Sequence, residues 1–371
     1  MTIRVLEIIP TLVRGGAEKQ MTLLATRLPR REFDVHVAVL THSGPYEQTL
    51  ASSNIPVIFI DKRWKVDPAA YWRLRTAIRK LRPDLVHTWI FAANCYGRQA
   101  AISAGVPRIV AGERCVDRWK VWHELAIDRY LARRTTCIAV NSTGVRDFYV
   151  ENGLPEDKFE VIPNGIEPTP DGAAVSRAAL AEELEISPQA YWIGAIGRLW
   201  PQKRYKDLIW SAELLRAAAQ DTHLLIIGEG PQRERLKRYA DQVGATQRIH
   251  FLGTRDDVPD WVSHFDCFWL GSGYEGQSNA LMEAMLAGVP CVATDIPGNR
   301  DLVIPDQTGY LVPVGDSAAF ARQTMVLLQD RDLGRSMGQR ARERMLEEFT
   351  VDKMVDRYAE LYRRICDRRE S

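Results

Sequence analysis

Short apolar runs alternate along the chain with longer stretches whose apolar residues recur every three or four positions. In the first half the strand candidates are "IRVLEII", "DVHVAVL", "PVIFI", "DLVHTW", "RIVAG", "CIAVNS" and "FEVIPNG". In the second they are "YWIGAIGRL", "HLLIIGEG", "RIHFLG", "CFWLGS", "PCVATD" and "GYLVPV". Most are continuously apolar rather than alternating, as strands are when helices cover both faces of a parallel sheet. The pattern predicts an α/β protein: two Rossmann-like, doubly wound parallel-sheet domains in series, with a cleft between them. A break is expected near "PNGIEPTPDGAAVS", which holds three prolines and two glycines. The expected domains are residues 1–170 and 171–350, and the amphipathic tail 351–371 needs a surface to cover. Its stripe runs through Met354, Tyr358, Leu361, Tyr362 and Ile365.

One stretch breaks the pattern. "EGQSNALMEAMLAGVPCVATD" predicts a helix over Ala280 to Ala287 that is apolar almost all round, so it should be buried. Yet Glu283 sits in its middle, opposite the densest apolar face. A buried carboxylate without a partner costs several kcal/mol, of order 3–5, so a partner is expected. Sugar and ribose hydroxyls are neutral donors, and a carboxylate can accept two at once.

In open α/β folds ligands bind where strands end, and the remaining motifs stand there. After the first strand, Gly15 and Gly16 open "GGAEKQ"; they read as a backbone approach to a ligand or as a plain tight turn. This is not the G-x-G-x-x-G dinucleotide fingerprint. After the first strand of the second half, Arg198 and Lys203 in "GRLWPQK" read as holders of a diphosphate or as solvated surface cations. Ser278 or Asn279 is a natural N-cap for the Glu283 helix, with Glu275 in the loop above it. Backbone N–H groups near Gln277, Ser278 and Asn279 suit an anion or hydroxyls.

Composition changes little. At 371 residues, 46% hydrophobic and 26% charged, the chain has an ordinary globular make-up. Net charge is +1 overall, with the basic excess in residues 1–170, too mild for a nucleic-acid binder. The six cysteines form no C-x-x-C pair, so neither a disulfide framework nor a metal site is expected. No long apolar core resembles a leader or a membrane span, and a cytoplasmic protein is expected. The segment "YWRLRTAIRKLRPD" interleaves arginines with Trp72, Leu74, Ile78 and Leu81. It reads either as an ordinary covering helix or as a peripheral contact with anionic lipid at the inner face of the membrane.

In order, "GGAE", "GRL…K", "GEG", "EGQSNALMEAMLAGVPCVATDIPG" and "TGYLVP" resemble the retaining GT-B glycosyltransferases of family 4 over nearly the full length. Glu275 and Glu283 reproduce that family's E-x7-E motif. The resemblance implies transfer of a sugar from a UDP- or GDP-sugar, a substrate rather than a cofactor, without a metal. The acceptor would be a glycan, a lipid-linked sugar or a small molecule, as in cell-surface polysaccharide synthesis. Arg198 and Lys203 would hold the diphosphate, Glu283 the ribose, and Glu275 would lie against the sugar. Gln277, Ser278 and Asn279 would assist. Gly16 would approach the diphosphate from the first domain, and Asn164 and His87 would line the cleft. For His87 a satisfied core position is an equal reading. Where many members carry a histidine, this chain has Glu113 and Arg114, and arginine cannot act as a base. Two other readings stand: a GT-B sugar phosphorylase or nucleotide-sugar epimerase, and a nucleotide-sugar binder without turnover.

Overall fold

The computed structural model describes residues 2–168, 174–216, 219 and 221–367. The chain divides into two compact units, one of residues 1–165 with 351–371 and one of residues 166–350. The boundary expected at residues 170 and 171 lies outside the described residues, as do the last four residues of the tail.

In the first unit the chain runs β1 (Ile3–Thr11), α1 (Gly16–Arg27), β2 (Phe33–His42), α2 (Tyr46–Ser52), β3 (Val57–Phe59) and α3 (Pro68–Leu81). It continues through β4 (Leu85–Trp89), α4 (Ile90–Ala104), β5 (Arg108–Glu113), α5 (Trp122–Ala132), β6 (Cys137–Val140), α6 (Thr143–Glu151) and β7 (Phe159–Val161). The strands form a sheet in the order β3-β2-β1-β4-β5-β6-β7, and all its pairings are parallel. Two apolar layers sandwich it. The order reverses between β1 and β4, so the loops after these strands open the switch point.

α3 starts where Asp67 accepts a hydrogen bond from the Ala70 N–H, with Pro68 at its first position. Its Leu74 and Ile78 are buried in the sheet-facing layer. This settles one of the two readings of that segment: the aliphatic stripe covers the domain, and only Trp72 stays outside.

The second unit runs α7 (Arg177–Glu183), β8 (Tyr191–Ile196), α8 (Tyr205–Arg216), β9 (Thr222–Ile227), α9 (Arg233–Gln242), β10 (Ile249–Gly253), α10 (Val258–Val262) and β11 (Cys267–Leu270). Then come α11 (Asn279–Leu286), β12 (Cys291–Thr294), α12 (Pro297–Arg300), β13 (Tyr310–Val312), α13 (Ser317–Gln329) and α14 (Arg331–Glu348). Its sheet has the order β10-β9-β8-β11-β12-β13, again parallel, with the reversal between β8 and β11.

The last helix, α15 (Val351–Asp367), belongs to the first unit. Met354, Tyr358, Leu361, Tyr362 and Ile365 are all buried in that unit's core, and Tyr362 meets Phe33 edge to face at 6.0 Å. Arg108 Nε caps its end by donating to the Ile365 carbonyl at 2.7 Å. Cys137, Cys267 and Cys291 begin β6, β11 and β12 as small buried apolar residues, and all six cysteines are free. Burial pushes the Cys137 and Cys267 thiols up to about 12, which removes them as nucleophiles. Among the described residues no helix is long and apolar enough to cross a membrane.

Candidate active site

In the second unit two loops meet at the switch point. Gly197 follows β8 with φ +148°, a conformation that side-chain-bearing residues rarely adopt, and a Cβ there would lie 3.2 Å from Lys203 Cε. Arg198 therefore leaves the strand end exposed to solvent, its guanidinium 6.0 Å from the Trp200 ring. Lys203 closes a short 3-10 turn, Pro201–Lys203, one residue before α8, not within the helix itself.

The loop after β11 is stitched to this turn. The Gly273 N–H donates to the Gln202 carbonyl at 2.9 Å, and Gln202 Nε2 donates to the Tyr274 carbonyl at 2.8 Å. Lys203 Nζ then reaches Glu275 Oε1 at 2.5 Å, and Ser272 Oγ donates to the same oxygen at 2.8 Å. Both members of the ion pair are mostly but not fully shielded. The loop is anchored from beneath, where Thr294 Oγ1 donates to the Ser272 carbonyl at 2.6 Å and Asn299 Nδ2 to the Thr294 carbonyl at 2.8 Å. A Cβ on Gly298 would lie 1.8 Å from the Gly276 carbonyl oxygen, so only glycine lets α12 support the loop from that side.

Gln277 and Ser278 are buried at the end of this loop. Ser278 takes the N-cap position of α11 in an extended conformation, but its side chain makes no cap bond. Along α11, Leu281, Met282, Ala284, Met285 and Leu286 are buried, whereas Asn279, Ala280, Glu283 and Ala287 are only half-buried. The helix is thus not buried all round. Its small residues leave one stripe open, and Glu283 stands in that stripe rather than in the core. Burial of a lone carboxylate is avoided by position.

The first unit gives its candidates a different setting. Gly16, at the start of α1, is exposed. Beside it the Glu18 carboxylate folds back so closely that a Cβ on Gly15 would lie 2.1 Å from Glu18 Oε2, and Thr11 Oγ1 donates to Glu18 Oε1 at 3.0 Å. A carboxylate over this turn repels a diphosphate and suits hydroxyl donors, which corrects the phosphate role expected of Gly16.

His87 is fully buried, not lining an opening. The β1–β4 register pairs Glu7 with His87, so both side chains leave the sheet on one face. There His87 Nδ1 lies 2.7 Å from Tyr362 Oη and 3.1 Å from Glu7 Oε2. Glu7 also accepts from Trp89 Nε1 at 2.6 Å and from Tyr362 Oη at 3.0 Å. The core reading of His87 prevails. Arg114 is buried likewise: it donates to Tyr358 Oη at 3.0 Å and to Asn164 Oδ1, and its guanidinium stacks 5.0 Å from the Trp89 ring. Asn164 is buried in the same network, not presented to a ligand.

Glu113, at the end of β5, lies in a second buried network that the sequence did not announce. Lys120 Nζ is 3.4 Å from Glu113, 3.4 Å from Asp117 and 2.8 Å from Asp128, and donates to Tyr149 Oη at 2.6 Å. Arg98 pairs with Asp128 at 2.5 Å. Burial pushes the Glu113 carboxyl up to about 7, with Lys120 opposing and the Asp128 and Asp117 charges adding to the rise. For Lys120 burial works downward, but Glu113, Asp128 and Asp117 together hold the ammonium above its usual range. Nothing in local spacing marks Arg98, Lys120 and Asp128 as partners. Glu7 did leave a signal, a lone carboxylate inside the apolar run "VLEII".

One strained residue stands at this sheet's switch point. Ile90, directly after β4, has φ +56°, which for a β-branched side chain costs on the order of 1–2 kcal/mol.

A parallel-sheet pair with a cation-and-carboxylate constellation at a switch point defines an α/β protein built to hold an anionic, hydroxyl-bearing ligand. The comparisons make this specific. The family model of group 1 glycosyl transferases matches residues 176–344, and that of Glycosyltransferase Family 4 matches residues 14–169. EpsD of Bacillus subtilis (strain 168) is 33% identical over 88% of this chain and 89% of its own length. The UDP-Gal:alpha-D-GlcNAc-diphosphoundecaprenol alpha-1,3-galactosyltransferase of Escherichia coli is 27% identical over 90% of each chain. The crystal structure of Anabaena HepE in complex with UDP and glucose superposes with a TM-score of 0.86, covering 97% of this chain and 99% of that one at 21% identity. The chain belongs to glycosyltransferase family 4 and has the GT-B fold, with two Rossmann-like domains.

Proposed function

We propose that the protein is a retaining, metal-independent glycosyltransferase whose donor is a UDP- or GDP-sugar held by the second unit. The observation that carries this reading is the Lys203–Glu275 ion pair of 2.5 Å, which ties the loops after β8 and β11 together where the strand order reverses. Arg198, exposed in the same turn, adds a planar fork for phosphate oxygens. These two cations neutralise the charge that develops on the departing diphosphate. Glu283, on the open stripe of α11, accepts from the ribose hydroxyls. Glu275 faces the sugar, and the backbone around Gln277, Ser278 and Asn279 completes the donor site at the helix N-terminus.

Retention follows from the proton's route. The bond from the anomeric carbon to the diphosphate oxygen breaks, the acceptor oxygen bonds the same face, and the acceptor proton passes to the phosphate oxygen. Neutralisation by Arg198 and Lys203 leaves no step that requires a metal. The first unit serves the acceptor, a sugar-bearing molecule. The Escherichia coli relative, whose name gives a diphosphoundecaprenol-linked acceptor, supports a lipid-linked one.

The test begins with a thermal-shift screen of nucleotide-sugars, because a bound donor raises apparent stability. The stabilising donor is then incubated with lipid-linked and free sugar acceptors in EDTA, and the product's anomeric configuration is read by NMR. An α-donor giving an α-linked product in chelator is expected. Inversion, or loss of activity restored by Mg²⁺ or Mn²⁺, contradicts the proposal.

A further inference from the structure

The first unit carries two loops turned inside out. In the segment from Arg114 to Trp122 the cations Arg114 and Lys120 are only 8% and 7% exposed. Trp119, Val121 and Trp122 beside them are 51%, 47% and 78% exposed. In the loop after β3, Trp64 and Val66 are 68% and 77% exposed. Large apolar side chains placed outward by loops that bury lysine and arginine imply that water is not their only medium.

These loops converge on the first turns of α4. Trp119 packs edge to face on Phe91 at 5.3 Å, and Lys120 lies 4.7 Å from the same ring. From the other loop, the Asp67 N–H donates to Tyr96 Oη at 2.6 Å, Tyr96 Oη donates to the Lys65 carbonyl at 3.2 Å, and Lys62 lies 4.9 Å from the Tyr96 ring. Both loops follow the carboxyl ends of strands of one parallel sheet, β3 and β5. The aromatic residues form a rim on one edge of the unit.

Charge selects the occupant. Arg63, Lys65 and Arg118 are exposed among the tryptophans, with Asp61 the one exposed acid of the two loops. Asp67 is buried as the cap of α3, and Asp117 is held at Lys120. Tryptophan seats at the level of lipid headgroups, and exposed arginine and lysine bind anionic ones.

We propose that this rim, Trp64, Val66, Trp119, Val121 and Trp122 with Arg63, Lys65 and Arg118, docks the first unit on an anionic phospholipid bilayer. The loops after β3 and β5 do this, not the aliphatic stripe of α3, which is spent on the core. The inference goes beyond the transferase reading and stands without it.

The test is co-sedimentation of the full chain with vesicles of phosphatidylcholine alone and of phosphatidylcholine mixed with phosphatidylglycerol. The wild-type chain binds the mixed vesicles and not the neutral ones. Replacing Trp64, Trp119 and Trp122 together with Ser weakens the partition about tenfold or more. Replacing Arg63, Lys65 and Arg118 with Gln weakens it about fivefold per residue. Unchanged melting temperatures show that both variants fold, since the altered side chains are exposed. Equal binding by the tryptophan variant, binding lost through Trp72→Ser alone, or no binding to either vesicle overturns the proposal. A wild-type dimer that the tryptophan variant converts to monomer, with no vesicle binding, overturns it in favour of a second copy as the occupant.

Discussion

In the second unit Arg198 is exposed, Glu283 stands on the open stripe of a helix, and the Lys203–Glu275 pair is partly open. In the first unit Arg114, Lys120, Glu113, Asn164 and His87 are all buried behind partners on neighbouring elements. Both sets sit near the carboxyl ends of parallel strands, so topology alone does not separate them. What separates them is satisfaction. The first unit spends its polar groups on one another, through Glu7, Tyr358, Tyr362, Asp128 and Tyr149. Buried networks of that kind rigidify a core. The second unit holds its cations in reach of a ligand and lends one of them to a single carboxylate.

The contrast breaks most sharply at the cations. Arg198→Ala or Lys203→Ala is expected to lower transfer at least about 100-fold, the scale of one lost charge-stabilising donor. Arg198→Ala leaves the melting temperature unchanged, because the side chain is exposed. Arg114→Ala does the reverse. It removes the partner of Tyr358 and Asn164 and destabilises by about 3 kcal/mol or more, the cost of breaking a buried charged network. Steady-state kinetics and thermal denaturation on the three variants check this, and a stable Arg114→Ala with lost transfer makes Arg114 a ligand contact.

Glu283→Gln comes next. It exchanges one accepting oxygen for a donor and loses one charge-assisted hydrogen bond to a ribose hydroxyl, so donor KM rises about 10- to 150-fold with less change in kcat. A normal KM with a lower melting temperature would return Glu283 to a structural role.

A smaller effect is expected at Glu275. Its carboxylate competes with the donor diphosphate for Lys203, so Glu275→Gln tightens nucleoside diphosphate binding by about two- to tenfold while transfer falls. Calorimetry that shows weaker binding instead makes Glu275 a supporter of the diphosphate site.

The smallest effect separates the units by pH. The Glu113 carboxyl ionises near its ordinary 4.5 when unfolded and at about 7 when buried. Between those values the unfolded chain holds fewer protons, so stability falls as pH rises and levels off above about 7. Glu113→Gln removes that part of the slope. Melting curves of both proteins across this range check it, and identical slopes contradict it.

The strands were legible because each is a continuous apolar run ended by glycine or a polar turn, and thirteen such runs form the two sheets. The motifs after β8 and β11 were legible for the same reason, since a strand end followed by Arg, Lys or Glu is a local signal. The orientation of a side chain is not local. His87 and Arg114 stand at strand ends as Arg198 does, yet tyrosines of α15, some 240 residues or more further along, cover them. The α11 stripe was misjudged because Ala280 and Ala287 count as apolar in any periodicity, while their small size is what leaves Glu283 room. Nor does a hydropathy pattern reveal that Lys120 points inward and Trp119 outward, because both follow from partners far away in sequence.

The central claim is that Glu283 and its neighbours form a nucleotide-sugar site in which the carboxylate grips the ribose. Its most direct measurement is a calorimetric cycle: UDP and its 2′,3′-dideoxy analogue (GDP and its analogue where the guanine nucleotide is the stabilising one) titrated into the wild-type chain and Glu283→Gln. Removing the hydroxyls is predicted to cost the wild-type chain about 10- to 150-fold in affinity and the variant little more, since their partner is already gone. Equal losses in both proteins, the mark of two independent effects, would contradict it.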